Sequence, residues 1–150
     1  MEVDSQELIH ILKDKITLYE HLGIEFITFR SHEVHFKVAL AKNKNHKGTA
    51  FGGSQYAVAV LAAYALVLAG LKERNIPTEN IVIAKGEIQY FRPVETDFEV
   101  ICKFPSPEAE EEFYKVLQSS GKVRGLIESH IVGAGGSLKS SLKGDFVVKL

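Results

Sequence analysis

An apolar stretch at residues 56–71 (YAVAVLAAYALVLAGL) constrains the fold more than any other feature of this chain. Every residue in it is apolar, aromatic, alanine or glycine, so a helix here has no polar face and must be covered on all sides. The run is shorter than the roughly 18 to 20 residues that cross a bilayer, and charged residues 72–74 follow it. We therefore interpret it as a core helix, not a membrane span. A curved antiparallel sheet can cover such a helix, which predicts an α+β domain.

Size and composition narrow the class of protein. The 150 residues predict one domain spanning residues 1–150. The net charge of -1 gives no surface excess of positive charge, so we expect no nucleic-acid partner. A single cysteine, Cys102, excludes an internal disulfide and a cysteine-rich zinc site, and we expect no metal and no redox cofactor. The first ten residues do not resemble a signal or transit peptide, which predicts a cytoplasmic location.

The segments before the apolar helix predict a helix and a hairpin. Ser5 is the expected N-cap of a first helix that Gly23 ends. Its apolar face contains Leu8, Ile9, Leu12, Ile16 and Tyr19. Residues 23–31 and 32–40 then alternate apolar and polar side chains, which predicts an antiparallel hairpin turning near residues 31–33.

The segments after the apolar helix predict four strands and one surface helix. The expected strands are residues 81–91, 97–104, 123–133 and 144–150. Ser106 and Pro107 begin the expected surface helix, and residues 133–143 read as a flexible connection between the last two strands. Alternation along residues 81–91 places Glu87 on the face opposite to Val82, Ala84, Gly86, Ile88 and Tyr90.

A polar, glycine-bearing loop at residues 43–53 (NKNHKGTAFGG) runs directly into the apolar helix. This loop, the order of elements and the segment YFRPV at residues 90–94 resemble the hotdog-fold thioesterase superfamily. More closely, residues 43–64 are similar to a thioesterase-like domain found alone or beside acetyltransferase domains in proteobacteria. The resemblance implies a hotdog fold, a homodimer with sites where the protomers meet, and substrates carried on coenzyme A or acyl carrier protein.

The loop departs from the superfamily pattern where a base is expected. Many hotdog thioesterases carry Asn-x-x-Gly-x-x-His-Gly-Gly and then an acidic residue on the helix. Phe51 replaces that histidine, and Val60 stands where the acid is expected. The positions that fit are Asn45, Gly48, Gly52 and Gly53.

The loop nevertheless carries donors for a thioester oxygen. A helix N-terminus leaves backbone N–H groups unpaired, and such groups stabilise negative charge that develops on a carbonyl oxygen. The amides of Gly52, Gly53 and Ser54 are candidates, with the Asn45 amide and the Thr49 hydroxyl beside them. We predict catalytic roles for Asn45, Thr49 and Gly53.

Two thioester reactions and one binding role fit this loop. Hydrolysis needs a base that activates water, whereas decarboxylation of a malonyl thioester needs only an oxyanion site and a partly desolvated carboxylate pocket. The similar subfamily includes malonyl-acyl carrier protein decarboxylases, so we favour formation of acetyl-acyl carrier protein at the start of fatty-acid synthesis. Acyl-thioester hydrolysis is the first alternative. A non-catalytic module that binds acyl-coenzyme A is the second.

Further loop residues are predicted to bind substrate. The set comprises Lys42, Lys44, His46, Lys47, Phe51, Gly52, Ser54 and Tyr56. The three lysines could attract an acidic carrier protein or coenzyme A phosphates, although solvated lysines explain them equally well. Asn45 could serve only to tighten a turn, and Ser54 could be a helix cap.

Overall fold

The computed structural model describes residues 4–30 and 32–150. Within them, six antiparallel strands form one curved sheet in the order β1-β2-β4-β5-β6-β3. The α+β prediction is therefore confirmed. The elements in chain order are α1 (Ser5–Lys15), β1 (Ile24–Arg30), β2 (Glu33–Val38), α2 (Gly52–Glu73), β3 (Ile81–Tyr90), β4 (Phe98–Lys103), α3 (Pro107–Ser120), β5 (Lys122–Val132) and β6 (Leu138–Lys149).

Helix α2 is the centre of the core. It packs against five strands, β2 to β6, and against α1. Its 22 residues are long and apolar enough to cross a membrane, but 72% of the most apolar window is buried inside the fold. The helix is therefore a core helix here. One edge is only partly covered within this chain, and the half-buried side chains along it are Tyr56, Ala57, Val60 and Tyr64.

The first helix differs from its prediction at both ends. The Asp4 carboxylate, rather than Ser5, caps α1 by accepting from the Gln6 amide at 2.9 Å. The helix ends at Lys15 because Ile16 is extended, and a separate 3₁₀ helix follows at Thr17–His21. Leu8 and Leu12 are buried as expected. The β1–β2 hairpin is present, and part of its predicted turn, Ser31, lies outside the described residues.

Two predictions for the later strands need correction. Strand β6 begins at Leu138, inside the segment predicted to be flexible, because β5 and β3 pair with it along most of its length. In β3 the register shifts between Ile83 and Lys85, so the face changes within the strand. Val82 is 55% exposed, and Ala84 and Gly86 from the same predicted face are exposed as well. Glu87 is exposed.

Helix α3 packs against β5 and contacts the C-terminal half of α2 through Tyr114. Ser106 caps it through the Ala109 amide, Pro107 occupies its first turn, and Gly121 ends it in the left-handed conformation at φ 79°. These are the signals expected for a helix start and stop. Its buried Tyr114 ring lies under the Arg74 guanidinium, 4.0 Å from the ring centroid. This packing is remote from the loop that precedes α2.

Candidate functional site

The loop before α2 is closed by one asparagine side chain. The Asn45 Oδ1 accepts hydrogen bonds from the backbone N–H groups of Lys47 (2.9 Å) and Thr49 (3.1 Å). Because backbone groups can only donate there, the amide orientation is fixed, and Asn45 Nδ2 donates to Thr49 Oγ1 at 2.9 Å. Asn45 N also donates to the Thr49 carbonyl at 2.8 Å. Asn45 thus tightens the turn and orients Thr49.

Thr49 retains a donor after this contact. Its oxygen accepts from Asn45, so the hydroxyl hydrogen is available for another acceptor, and no described residue takes it. Thr49 and Asn45 are both half-buried. Neither side chain points away into bulk solvent, since both line a cleft at the start of α2.

This cleft, which we call the tip cleft, has a volume of about 480 Å³. The loop, the first turn of α2 and the segment after β3 enclose it. Its lining residues are Asn45, Thr49, Ala50, Gly52, Gly53, Gln55, Tyr90, Phe91, Arg92 and Pro93. Two other clefts, of about 1060 and 520 Å³, lie beside α3, and neither contains a residue of the loop. We take the tip cleft as the candidate site because the predicted donors meet only there among these three.

The start of α2 presents unpaired backbone donors to the tip cleft. Phe51 is the N-cap residue, and its side chain makes no capping hydrogen bond. In the described ranges no acceptor is recorded for the amides of Gly52, Gly53 or Ser54. Glycine at residue 53 leaves room for the Phe51 ring, because a Cβ there would lie 2.6 Å from that ring. Among the described residues, the first turn therefore has backbone N–H groups without an intramolecular acceptor.

Hydrogen bonds from several parts of the fold hold the tip cleft in place, and those made by Gln55 are buried. Gln55, which is 4% exposed, donates to the Ala50 carbonyl at 3.0 Å and accepts from Ser140 of β6 at 2.8 Å. Tyr90 of β3 donates its hydroxyl to the Gly52 carbonyl at 2.7 Å. Ala50 N donates to the Val94 carbonyl at 2.9 Å. These bonds connect the loop and helix start to strands that are distant in sequence.

The phenol of Tyr90 remains a donor at neutral pH. Partial burial raises its pKa above the ordinary value, and the nearby Tyr56 raises it further. The loss of a proton from Tyr90 would break its bond to Gly52, so this shift preserves the contact over a wider pH range.

The structure brings some of the predicted residues together and leaves others outside. Asn45, Thr49, Gly52 and Gly53 all line the tip cleft. The remaining predicted residues do not line it: Lys42, Lys44, His46, Lys47, Phe51, Ser54 and Tyr56. The three lysines and His46 are exposed on the loop, and Phe51 is 57% exposed. Tyr56 instead lies against β3, with its hydroxyl so close to Gly86 that a Cβ there would overlap it.

Several residues that line or support the cleft were not predicted from the sequence, among them Gln55, Tyr90, Arg92 and Ser140. Gln55 is the last polar residue before the apolar run at residues 56–71, and this position was a usable signal for a buried amide. Tyr90 and Arg92 belong to the YFRPV segment, but the sequence does not reveal that this segment ends beside α2. Ser140 lay in the segment predicted to be flexible.

Solved structures with the same architecture place the fold. A protein of unknown function from Chlorobaculum tepidum TLS is 27% identical, with a TM-score of 0.87 over 97% of this chain and 93% of that one. A "putative thioesterase" from Shewanella oneidensis is 25% identical, with a TM-score of 0.85 over 97% and 96%. A "probable thioesterase" from Pseudomonas aeruginosa, 17% identical with a TM-score of 0.79 over 99% and 97%, supports the fold alone. The fold is the hotdog fold.

Sequence comparison gives the family. No curated protein sequence matches the chain significantly. A family model described as "Putative thioesterase (yiiD_Cterm)" matches residues 5–150, which is nearly the whole chain. The protein therefore belongs to the YiiD_C family of the hotdog-fold thioesterase superfamily.

Proposed function

We propose that this protein processes acyl thioesters in the tip cleft and that its reaction is the decarboxylation of a malonyl thioester carried on acyl carrier protein or coenzyme A. One observation carries the choice of reaction. The residues that line the cleft supply N–H and O–H donors but, within the described part of the chain, no carboxylate, imidazole or thiol. A reaction that needs an oxyanion site and no enzymatic base fits this set best.

The donors fit the charge that decarboxylation develops. The bond between the carboxylate carbon and the α-carbon breaks, carbon dioxide leaves, and the electron pair passes through the α-carbon to the thioester oxygen as an enolate. The amides of Gly52 and Gly53 and the Thr49 hydroxyl are suited to hold that oxygen. A proton from water then adds to the α-carbon and gives the acetyl thioester. No oxidant or reductant is required.

Hydrolysis is the second candidate, and the comparisons favour it. The family description and the Shewanella protein's name both use the word thioesterase. Hydrolysis in this cleft needs a base from outside its lining, because Val60 occupies the helix position where an acid is common and Glu73 lies at the far end of α2.

We also propose that the protein acts as a homodimer through β3. Strand β3 is an edge strand that pairs with β6 on one side, and an unpaired edge is a template for another strand. Exposed apolar side chains lie along it and beside it, namely Phe51, Val82, Tyr90 and Phe91. The partly covered edge of α2 lies next to β3, because Tyr56 on that edge contacts Gly86 of β3. A second copy would cover these groups and deepen the tip cleft.

One assay separates the candidate functions. The protein is mixed with malonyl-acyl carrier protein, and the mass of the carrier is followed with time. We expect acetyl-acyl carrier protein, which means decarboxylation. Free carrier thiol would replace this proposal by hydrolysis. Unchanged substrate, with binding but no turnover, would replace it by the binding module.

A further inference from the structure

Arg92 contributes the single formal charge to the lining of the tip cleft, as far as the described residues extend. The residue follows Tyr90 and Phe91 and lines the cleft together with Gly52 and Gly53 of the first turn of α2. Its neighbours in the lining are neutral, so its guanidinium determines the charge of ligand that the cleft accepts.

The guanidinium of Arg92 has no carboxylate partner in the part of the chain that the structure describes. Two other arginines do have one, since Arg74 bonds Glu111 at 3.0 Å and Arg124 bonds Asp145 at 2.8 Å. Arg92 is exposed, so solvation satisfies it without ligand. A cation at a cleft wall without an internal partner is free to pair with a bound anion.

The backbone that carries this side chain is held in place. The N–H groups of Phe91 and Arg92 both donate to the Lys139 carbonyl, at 2.8 and 3.2 Å. Pro93 follows and restricts the Arg92 backbone to extended conformations. Because the Arg92 backbone is fixed, only the side chain must be ordered when a ligand binds, which lowers the entropic cost of binding.

We propose that Arg92 binds the free carboxylate of the malonyl group and thereby makes the cleft selective for acyl thioesters with a terminal carboxylate. This assignment rests on the proposed function. A guanidinium matches a carboxylate through two parallel hydrogen bonds, which a neutral acetyl or longer acyl group cannot offer.

Position favours the carboxylate over the phosphate of the carrier arm. The helix amides that would hold the thioester oxygen and Arg92 line the same cleft. The malonyl carboxylate is one carbon away from that thioester carbonyl. The phosphate of coenzyme A or acyl carrier protein is separated from it by the whole pantetheine arm.

The chemistry predicts which kinetic constant Arg92 controls. Decarboxylation moves negative charge from the carboxylate to the thioester oxygen, so a cation at the carboxylate stabilises bound substrate at least as much as the transition state. Loss of Arg92 should therefore raise KM for malonyl thioesters by about 10- to 100-fold and leave kcat unchanged or slightly higher. Loss of a helix-tip donor should do the reverse.

The experiment measures selectivity by binding as well as by turnover. Malonyl and acetyl pantetheine analogues, in which an amide replaces the thioester, are titrated calorimetrically into the wild type, Arg92→Ala and Arg30→Ala. Arg30 is exposed at the end of β1 and serves as the matched control. We expect the wild type and Arg30→Ala to prefer the malonyl analogue by at least 10-fold and Arg92→Ala to lose that preference.

The phosphate is tested by repeating the titrations with malonyl-coenzyme A analogues. An equal loss with both carriers supports the carboxylate assignment, whereas a loss confined to the coenzyme A analogues overturns it in favour of phosphate binding. Unchanged preference in Arg92→Ala, or no preference in the wild type, also overturns it. If the mass assay gives no acetyl product while the Arg92-dependent preference persists, the proposed reaction fails and the carboxylate site stands. Acetyl product together with unchanged malonyl affinity in Arg92→Ala would support the proposed reaction and overturn the carboxylate site.

Discussion

At the scale of single residues, Asn45 and Thr49 differ in how their hydrogen-bonding groups are used. The Asn45 carbonyl oxygen is used by two backbone amides, and its amide group is used in part by Thr49. Thr49 keeps the free hydroxyl hydrogen. Asn45 thus organises the turn, and in the proposed site the Thr49 hydroxyl is a side-chain donor to substrate.

For turnover, the hydroxyl group of Thr49 should therefore matter more than the branched shape of its side chain. Thr49→Val removes the donor and keeps the branched side chain, and we expect turnover to fall about 100- to 1000-fold, as for loss of one oxyanion donor. Thr49→Ser should retain most of the activity. Initial rates in the carrier-protein mass assay measure both. Full activity of the valine variant would remove Thr49 from the site.

Cys102 gives a pH-dependent contribution to stability. Complete burial raises the pKa of its thiol to about 12, against an ordinary value of 9.0, while Ser129 lowers it by a smaller amount. The folded state then holds the proton after the unfolded state has lost it. This contribution is complete below pH 9 and is lost as the pH rises from about 9 to 12.

The measurement compares the wild type with Cys102→Ala in urea titrations at several pH values. We expect the difference in unfolding free energy to shift against the wild type above pH 9. Iodoacetamide at pH 8 should leave native Cys102 unmodified and alkylate it in urea, because the thiolate is the reactive form. Rapid alkylation of the native protein would contradict this burial.

At the scale of elements, α2 meets α3 through a glycine. A Cβ at Gly70 would overlap the Tyr114 hydroxyl, and Tyr114 is buried between Phe104, Phe113 and the Arg74 guanidinium. The ring therefore has little freedom to move aside. The glycine lets the two helices approach closely at this contact.

We expect Gly70→Ala to lower the free energy of unfolding by about 1 to 3 kcal/mol, because overpacking outweighs the better helix propensity of alanine. Urea denaturation measures the change. Adding Tyr114→Phe removes the nearest atom and should recover part of the loss. A single variant as stable as the wild type would show that the aromatic cluster repacks without cost.

Elements were predicted better than their junctions. The apolar run at residues 56–71 has no polar face, so it could only be a covered helix, and Ser106, Pro107 and Gly121 set the ends of α3. By contrast, the register shift after Ile83 depends on pairing with β6 and leaves no local signal. Strand β6 begins within residues that look like a flexible linker, because neighbours on both sides supply the hydrogen bonds.

The site was predicted only where it is continuous in sequence. Asn45, Thr49, Gly52 and Gly53 lie on one loop and helix start, so their proximity was readable. Tyr90 and Arg92 reach the cleft, and Ser140 reaches Gln55, through the order of strands in the sheet, which the sequence does not display.

At the scale of the whole molecule, the proposed dimer places a second copy against the edge strand β3. Val82 is 55% exposed on this edge strand, and a lysine on an edge opposes strand pairing. We expect Val82→Lys to shift the protein from dimer to monomer at micromolar concentration. Size-exclusion chromatography with light scattering measures the mass. Leu126→Lys, at a 38% exposed site on the interior strand β5, is the control and should leave the mass unchanged.

The hydrogen bond from Tyr90 to the Gly52 carbonyl fastens the edge strand to the tip of α2. In the proposed dimer, self-association and catalysis would share one length of backbone, and the strand of a second copy would hold the donors of the tip cleft more rigidly. Specific activity should then depend on protein concentration, falling when the enzyme is diluted until its subunits separate. The activity of each enzyme molecule would then respond to the total concentration of the enzyme.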